Sequence, residues 1–318
     1  MRSTVEIANP ICQPARMRVY VTGASGFVGR RLLPRLRAAG HEATGSDREV
    51  EVTDPIAVAN ALERGAPDAV IHLAAMSDVG RSWREPQLCF RLNFIGTRTL
   101  LRAVEAIRPA ARVLLIGSAD QYSPSTSQPH PMDEATPLLP RSPYARSKAA
   151  AELLGTRAVG RGLDVVCVRA FNHTGAGQAD QFVVSSFARQ AARIRLGRQD
   201  PVMRVGNLES VRDFLHVDDV LRAYLALLDP AVPARVYNVA SQRATPIQEV
   251  LEPLLAMAEI APRIERDPER FRPTDWLVGD ASRLARATGW RPEIPLDAIL
   301  RELYQDWLEK EAAAGDAG

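Results

Sequence analysis

Short apolar runs rich in β-branched residues alternate with longer amphipathic stretches along the first half of the chain. The runs predict β-strands and the stretches between them predict helices. Strands that are apolar on both faces and separated by helices are typical of a parallel sheet covered on both sides, so the predicted fold class is α/β with a doubly wound sheet. The predicted strands are 17–22, 69–73, 112–116 and 164–169, and the predicted helices are 27–39, 84–108 and 144–160.

The alternation becomes irregular after residue 169, where a turn-rich segment and a helix near 182–196 precede the next strand at 236–240. We therefore expect a sheet domain and a smaller, discontinuous lobe over the carboxyl ends of the strands, where ligands of open α/β sheets bind. The sheet domain is predicted to comprise residues 17–172 and about 216–240, and the lobe about 173–215 and 241–310. Residues 1–16 and 311–318 are predicted to be flexible tails, with Met17 as an alternative start.

Composition and charge exclude several classes of function. The net charge of +2 and the 46% hydrophobic content lack the basic excess of a nucleic-acid binder and the acidity of a disordered chain. No apolar run reaches membrane-spanning length. Cys12, Cys89 and Cys167 have no C-x-x-C spacing, which argues against a zinc site or a disulfide framework and favours the cytoplasm. We expect a small-molecule partner, and no metal, nucleic acid or membrane.

The first predicted strand leads into T-G-A-S-G-F-V-G, which places Gly23, Gly26 and Gly29 in a G-x-x-G-x-x-G array that opens a helix. Such glycines allow a tight turn, close approach of a pyrophosphate and close helix packing, while the helix terminus favours an anion. After a strand and before a helix, the array indicates dinucleotide binding and a Rossmann-type sheet. Asp47 ends a further predicted strand, A-T-G-S-D at 43–47, where a carboxylate suits the ribose of NAD, and Arg48 beside it suits the phosphate of NADP.

Tyr144 and Lys148 are four residues apart on a predicted helix, in Y-A-R-S-K, and Ser118 lies just beyond the strand at 112–116. The spacing places the phenol and the ammonium on one face, where the cation would favour the phenolate and help the tyrosine to transfer protons. The chain has two lysines, Lys148 and Lys310, against many arginines. A lysine kept at this spacing therefore favours a chemical role over an ordinary surface contact.

From Met17 to about Leu308 the chain resembles the extended short-chain dehydrogenase/reductases. H-L-A-A at 72–75, N-F-I-G-T at 93–97 and the serine, tyrosine and lysine described above carry the resemblance. It implies a Rossmann-type domain and NADPH or NADH as the cofactor. It also implies that Ser118 polarises a carbonyl group and that Lys148 tunes Tyr144. The predicted cofactor-binding residues are Gly23, Ser25, Gly26, Phe27, Val28, Gly29, Asp47, Arg48, Leu73, Ala74, Ala75, Asn93, Tyr144, Lys148 and His173.

Three segments resemble the branch of this class that acts on GDP-6-deoxyhexoses, namely 169–178, 205–214 and 272–275. The resemblance implies reduction of the 4-keto group of a GDP-4-keto-6-deoxyhexose to GDP-6-deoxy-D-mannose (GDP-D-rhamnose). It also implies a homodimer. The substrate-binding residues that it implies are Ser77, Asn172, Asn207, Arg212, Arg272 and Asp275.

The chain departs from the pattern of this branch at several positions. Ala176 replaces a usual proline, and Asp275 is one methylene shorter than the usual glutamate. Asp120, preceded by Ala119, stands where the dehydratases of the branch carry a catalytic glutamate, so it is a further catalytic candidate. The loop after Asn172 and His173 is T-G-A-G-Q, the form that resembles the reductases.

Two alternative functions remain open at this point. A GDP-mannose 4,6-dehydratase, or another epimerase or dehydratase of nucleotide sugars, would share most of these residues. A sensor without catalytic activity would share the fold, since fold does not determine function. The complete set of Ser118, Tyr144 and Lys148 argues against the sensor, which would not need these residues.

Overall fold

The computed structural model describes residues 16–122, 130–268 and 275–316. The predicted N-terminal tail therefore lies outside the described residues, except for Arg16, whose side chain pairs with Glu42 at 2.6 Å. The strands are β1 (Arg18–Thr22), β2 (Glu42–Ser46), β3 (Ala69–His72), β4 (Arg112–Ile116), β5 (Val165–Ala170), β6 (Asn172–Thr174), β7 (Val202–Val205), β8 (Val211–Arg212), β9 (Phe214–His216), β10 (Val236–Val239), β11 (Thr245–Pro246), β12 (Arg263–Arg266) and β13 (Trp276–Leu277).

Helices connect these strands. They are α1 (Phe27–Ala38), α2 (Pro55–Gly65), α3 (Val79–Arg84), α4 (Pro86–Phe90), α5 (Gly96–Ile107), α6 (Pro143–Val159), α7 (Val183–Arg195), α8 (Val217–Ala226), α9 (Gln248–Ala258), α10 (Ser282–Thr288) and α11 (Leu296–Asp316). The single helix predicted over 84–108 is interrupted, because Pro86 has no N–H group to continue α3 and a π-helical turn occupies Arg91–Ile95.

A six-stranded parallel sheet in the order β10-β5-β4-β3-β1-β2 forms the centre of the molecule. All residues of β3 and β5 are buried, because helices cover both faces of the sheet. Helices α1 and α8 contribute Leu32 and Val220 to the apolar core on one face, and α2 and α5 contribute Leu62 and Leu100 to the core on the other. The prediction of a doubly wound Rossmann-type α/β fold is confirmed.

Helices α7, α9 and α11 build a second apolar core, which includes Phe187, Leu254 and Leu303. Short strands lie beside it as the sheet β11-β8-β13 and the pair β7-β12. These elements belong to the segments assigned to the smaller lobe, although the exact division of the chain stays a prediction. In the part of the chain that the structure describes, no helix combines the length and the apolar character that crossing a membrane requires.

The C-terminal helix α11 continues to Asp316, so the prediction of a flexible tail from residue 311 is wrong as far as that residue. The cause is a long-range ion pair. The buried Glu311 carboxylate accepts hydrogen bonds from Arg189 Nε at 2.7 Å and from Arg193 Nη1 at 3.0 Å, and both arginines lie on α7. Two charge-assisted hydrogen bonds hold this last part of the helix.

Glu311→Ala is expected to lower the free energy of unfolding by about 1–3 kcal/mol, because two arginines lose their shared acceptor. Glu309→Ala is the matched control: its carboxylate is exposed and accepts a hydrogen bond only from Gln305 of the same helix among the contacts described, so a change below about 0.5 kcal/mol is expected. Urea denaturation of both variants checks this prediction. If the two variants have equal free energies of unfolding, the ion pair of Glu311 contributes nothing to the stability of the protein.

Candidate active site

The glycine-rich turn between β1 and α1 is shaped by close packing. Gly23 has φ +69°, and a Cβ atom there would lie 2.8 Å from the backbone nitrogen of Ala74. A Cβ atom on Gly29 would lie 2.6 Å from the carbonyl oxygen of Gly23. Helix α1 begins after Gly26 with no side-chain cap and no acidic residue in its first turn. Its amide groups are therefore available to an anion, which fits the pyrophosphate of a dinucleotide.

Asp47 follows β2 and is bound to the glycine-rich turn. Its carboxylate accepts hydrogen bonds from the backbone N–H of Ser25, at 3.0 Å, and from the hydroxyl of Ser25. Arg48 is exposed beside it. The carboxylate thus stabilises the turn and stands beside the adenosine end of the predicted cofactor site, while the guanidinium is free to change its position.

A cleft of about 1080 Å³ runs along the carboxyl ends of the parallel strands and collects most of the predicted site residues. The size suits a dinucleotide together with a second ligand. The predicted residues that line it are Gly23, Ser25, Gly26, Phe27, Val28, Gly29, Asp47, Arg48, Leu73, Ala74, Ala75, Ser77, Ser118, Asp120, Tyr144, Lys148, Asn172, His173 and Arg212.

Tyr144 and Lys148 lie in the first two turns of α6, which begins with Ser142 as its cap and Pro143. The side chains of Tyr144 and Ser118 line the same part of the cleft. The ammonium group of Lys148 donates to the carbonyl oxygen of Ile116 at 2.7 Å. All three predicted catalytic side chains therefore meet at one end of the cleft.

Burial governs the electrostatics of this group. Burial and the Asp120 carboxylate raise the pKa of Tyr144, and the Ser118 hydroxyl opposes this shift. The ammonium group of Lys148 is directed to a backbone carbonyl, and its stabilisation of the phenolate stays a prediction. Burial also lowers the pKa of Lys148 to about 8. The tyrosine is consequently a protonated acid at neutral pH.

Asp120 lies in a short 3₁₀ turn, Ala119–Gln121, next to Tyr144. Burial raises the pKa of its carboxyl group, Arg212 lowers it, and the Asp275 carboxylate raises it. These causes connect Asp120 to two of the predicted substrate residues. The structure therefore places a carboxyl group between the catalytic tyrosine and the smaller lobe.

Ser118 is held by a hydrogen-bond chain that sequence reasoning missed. Its backbone N–H donates to the Gln121 side chain at 2.9 Å, and Gln121 Nε2 donates to Glu152 Oε2 at 2.7 Å. Glu152 in turn forms a buried ion pair with Arg169 at 2.6 Å. Arg169, at the end of the apolar run V-V-C-V, was the available signal, since a buried charge requires a partner.

Arg212 and Asp275 are brought together by the pairing of β8 with β13, and their side chains form an ion pair at 2.7 Å. Arg212 and Asn172 line the cleft, whereas Asp275 stands behind Arg212. Asn207 does not line the cleft, and its side chain accepts the backbone N–H of Glu209 at 2.9 Å. Arg272 lies outside the described residues. Substrate contacts by Asn207, Arg272 and Asp275 stay predictions.

The structure places Asn93 behind the cleft wall rather than in it. Its side chain accepts the backbone N–H of Met76 at 2.7 Å and donates to Ser147 Oγ at 2.9 Å. It therefore joins the segment after β3 to α6, one residue before Lys148. Asn93 is buried and does not line the cleft, so its contact with the cofactor stays a prediction.

Two histidines near the site remain neutral. His72 is bonded to Thr22 and Thr97, and burial with the nearby charge of Lys148 lowers its pKa to about 3. His173 lines the cleft, its Nδ1 lies 3.0 Å from the carbonyl oxygen of Phe171, and burial lowers its pKa. Neither imidazole is suited to carry a proton at neutral pH.

The loop after β6 is anchored by the C-terminal helix, which sequence reasoning also missed. The backbone N–H groups of Ala176 and Gly177 donate to Glu302 and Asp306, at 3.0 and 2.8 Å. Arg31 donates to the carbonyl oxygen of Ala176 at 2.7 Å.

The unpredicted residues of the cleft wall include Met76, Ile116, Phe171, Thr174, Gln178 and Tyr224. Met76, Ile116, Phe171 and Tyr224 resembled ordinary core in the sequence.

Comparisons with known proteins agree with this geometry. The chain is 39% identical over 296 residues to the GDP-6-deoxy-D-mannose reductase of Pseudomonas aeruginosa, which covers 91% of this chain and 97% of the relative. A structure of RMD from Pseudomonas aeruginosa complexed with NADPH matches with a TM-score of 0.85 at 38% identity, over 92% of this chain and 99% of that chain. The GDP-mannose 4,6 dehydratase 1 of Arabidopsis thaliana is 29% identical over 283 residues, which cover 84% of this chain and 76% of that protein.

The NAD dependent epimerase/dehydratase family matches residues 19–240. This range includes the glycine-rich turn, the catalytic side chains and the strand β10 at the edge of the sheet. It spans more than half of the chain, and the sequence motifs had indicated the same class. The protein therefore belongs to the NAD-dependent epimerase/dehydratase family.

Proposed function

We propose that the protein reduces the 4-keto group of a GDP-4-keto-6-deoxyhexose with NADPH or NADH and forms GDP-6-deoxy-D-mannose. One observation carries the proposal: Ser118, Tyr144 and Lys148 meet at the end of a cleft whose other end is the glycine-rich turn. The similarity to a GDP-6-deoxy-D-mannose reductase along most of both chains supports the choice of substrate.

The chain's own residues provide proton transfer and orientation. When bound, the reduced nicotinamide supplies the hydride. The hydroxyl of Ser118 is placed to donate a hydrogen bond to the keto oxygen, which polarises the carbonyl group. Tyr144, kept protonated by burial, donates its proton to the oxygen as the alcohol forms. Lys148 stands behind the tyrosine, where its amine can orient the nicotinamide ribose.

The cofactor and the sugar nucleotide are assigned to the two sides of the cleft. The N-terminus of α1 receives the pyrophosphate of the dinucleotide, and Asp47 with Arg48 receives its adenosine ribose. Arg212 receives the diphosphate of the sugar nucleotide, since a guanidinium binds such an anion through two hydrogen bonds. Asp275, which pairs with Arg212, keeps this guanidinium in place.

The features of the site favour a reductase over a 4,6-dehydratase. A dehydratase must also remove a proton from carbon 5 and expel water from carbon 6, so it requires a well-placed base. Asp120 is one methylene shorter than the glutamate of the dehydratases, so its carboxylate would reach less far towards the sugar. The loop T-G-A-G-Q at 174–178 has the form that resembles the reductases.

Free cysteines and exposed apolar residues support the proposed compartment and assembly. Cys89 and Cys167 are buried free thiols, which suits the reducing cytoplasm, and cell fractionation tests that assignment.

Three neighbouring helices, α3, α4 and α6, carry exposed apolar side chains: Trp83 is 57% exposed, Phe90 41% and Leu153 50%. Apolar side chains on neighbouring helices are typical of a protein interface. We propose that this surface forms a homodimer.

Phe90→Glu is expected to convert the dimer into a monomer, because a charge would be buried in an apolar interface. Ile56→Glu is the control: Ile56 is a 72% exposed apolar residue on α2, and its substitution should leave the assembly unchanged. Sedimentation velocity measures the mass of each protein. A wild-type protein that sediments as a monomer at micromolar concentration contradicts the proposed dimer.

Tyr144→Phe should abolish turnover, because the lost hydroxyl is the proton donor. The affinity for NADPH should stay within a few-fold of wild type, since the ring still fills its place. Steady-state rates and equilibrium binding of NADPH measure the two effects separately. A variant that turns over at close to the wild-type rate would refute the assignment.

The enzyme is expected to accept both cofactors with a modest preference. Asp47 is held beside the ribose by Ser25 and repels a 2′-phosphate, whereas the exposed Arg48 can turn towards it. The values of kcat/KM for NADPH and NADH should therefore differ by less than about a hundredfold, near 3 kcal/mol. Stronger discrimination would show that one of the two residues dominates.

The choice between reductase and dehydratase is tested by stoichiometry. A reductase consumes one reduced cofactor for each product, whereas a dehydratase regenerates its cofactor within every cycle. We expect stoichiometric oxidation of NAD(P)H with GDP-4-keto-6-deoxymannose, and no keto sugar from GDP-mannose with oxidised cofactor. Accumulation of the keto sugar from GDP-mannose would establish the dehydratase instead.

A further inference from the structure

Tyr224, on helix α8, carries a fully buried hydroxyl that has no hydrogen-bond partner among the described residues. The other buried oxygens in this condition in the described chain belong to Asp218 and Asp275. Each of these aspartate oxygens faces an arginine, Arg31 at 3.6 Å and Arg212 at 2.7 Å. The phenol of Tyr224 has no such charged neighbour within contact distance.

The chain satisfies its other deeply buried phenols. The hydroxyl of Tyr122 accepts from Arg169 at 2.7 Å and lies 2.8 Å from Asn238 Oδ1, to which it donates. The hydroxyl of Tyr237 donates to the carbonyl oxygen of Pro233 at 3.1 Å. A buried hydroxyl without a partner is unfavourable, and native proteins retain one where a ligand or an ordered water completes it.

The position of Tyr224 indicates a ligand. Its side chain lines the cleft, and its helix α8 packs against α1, the helix that follows the glycine-rich turn. Phe171 and Ala170, at the carboxyl end of β5, line the same part of the cleft. Burial and the neighbouring Tyr144 raise the pKa of Tyr224, so its hydroxyl keeps its proton and is a hydrogen-bond donor.

We propose that the Tyr224 hydroxyl donates a hydrogen bond to an acceptor oxygen of the bound dinucleotide. Two oxygens have the required chemistry, the carbonyl oxygen of the nicotinamide carboxamide and a pyrophosphate oxygen. The proposal rests on the proposed function in one respect, since it requires the dinucleotide to occupy this cleft. It adds a contact from α8 to those of the glycine-rich turn and the catalytic helix.

Tyr224→Phe tests the proposal, because it removes only the hydroxyl. We expect the Kd for NADPH to rise about 5- to 10-fold, the effect of one lost hydrogen bond to a buried acceptor. The ligand-free variant should be at least as stable to urea as wild type, since the removed hydroxyl had no partner. Isothermal titration calorimetry and urea denaturation measure the two properties.

Tyr237→Phe is the matched control, since Tyr237 is equally buried but its hydroxyl is satisfied and does not line the cleft. The control should lose stability and retain the wild-type Kd. Opposite responses of the two variants support the proposal. A ligand-free Tyr224→Phe protein that is less stable than wild type, or one that binds NADPH with the wild-type Kd, would overturn it.

ADP-ribose 2′-phosphate, which lacks the nicotinamide, distinguishes the two acceptors. If Tyr224→Phe weakens the binding of NADPH alone, the acceptor is the carboxamide. If it weakens the binding of both ligands, the acceptor is the pyrophosphate. Failure of the proposed function has a different signature: wild-type protein that binds neither NADPH nor NADH overturns the cofactor assignment itself, and the Tyr224 contact with it.

Discussion

The catalytic end of the cleft depends on the buried ion pair between Glu152 and Arg169. Arg169 donates to both oxygens of the Glu152 carboxylate, at 2.6 and 2.9 Å, and both side chains are almost inaccessible to water. The attraction within such a pair offsets the free-energy cost of its desolvation only when the remaining hydrogen-bonding groups of both side chains are also satisfied. Gln121 also donates to the carboxylate and Tyr122 accepts from the guanidinium, so that these four side chains belong to one buried network.

This network connects parts of the chain that carry separate functions. Glu152 extends from the helix of Tyr144 and Lys148, while Gln121 holds the backbone of Ser118. The buried contact therefore joins the segment of the serine to the helix of the tyrosine. Low-dielectric surroundings strengthen every bond in such a network and make its partial loss costly.

Local patterns in the sequence were sufficient for the fold, for the glycine-rich turn and for the pair of Tyr144 and Lys148, whereas Ser77, Asn172 and Arg212 were predicted from the family resemblance alone. The strands and the turn at Gly23 depend on neighbouring residues, and the position of Lys148 depends on helical spacing. The remaining features depend on contacts between distant segments. Asn93 binds the segment after β3, Glu311 is fixed by arginines of another helix, and Tyr224 resembled ordinary core. The hydrophobic periodicity of one element does not predict which polar atoms of another element it will contact.

The anchoring of the loop after β6 has an evolutionary consequence. A proline at position 176, usual in the related branch, has no N–H and could not donate to Glu302. The hydrogen bond observed between Ala176 and Glu302 exists because that proline is absent. The two positions, 126 residues apart, should therefore vary together among related sequences: a glutamate on α11 is retained where the loop has a donor and is free to drift where it has a proline.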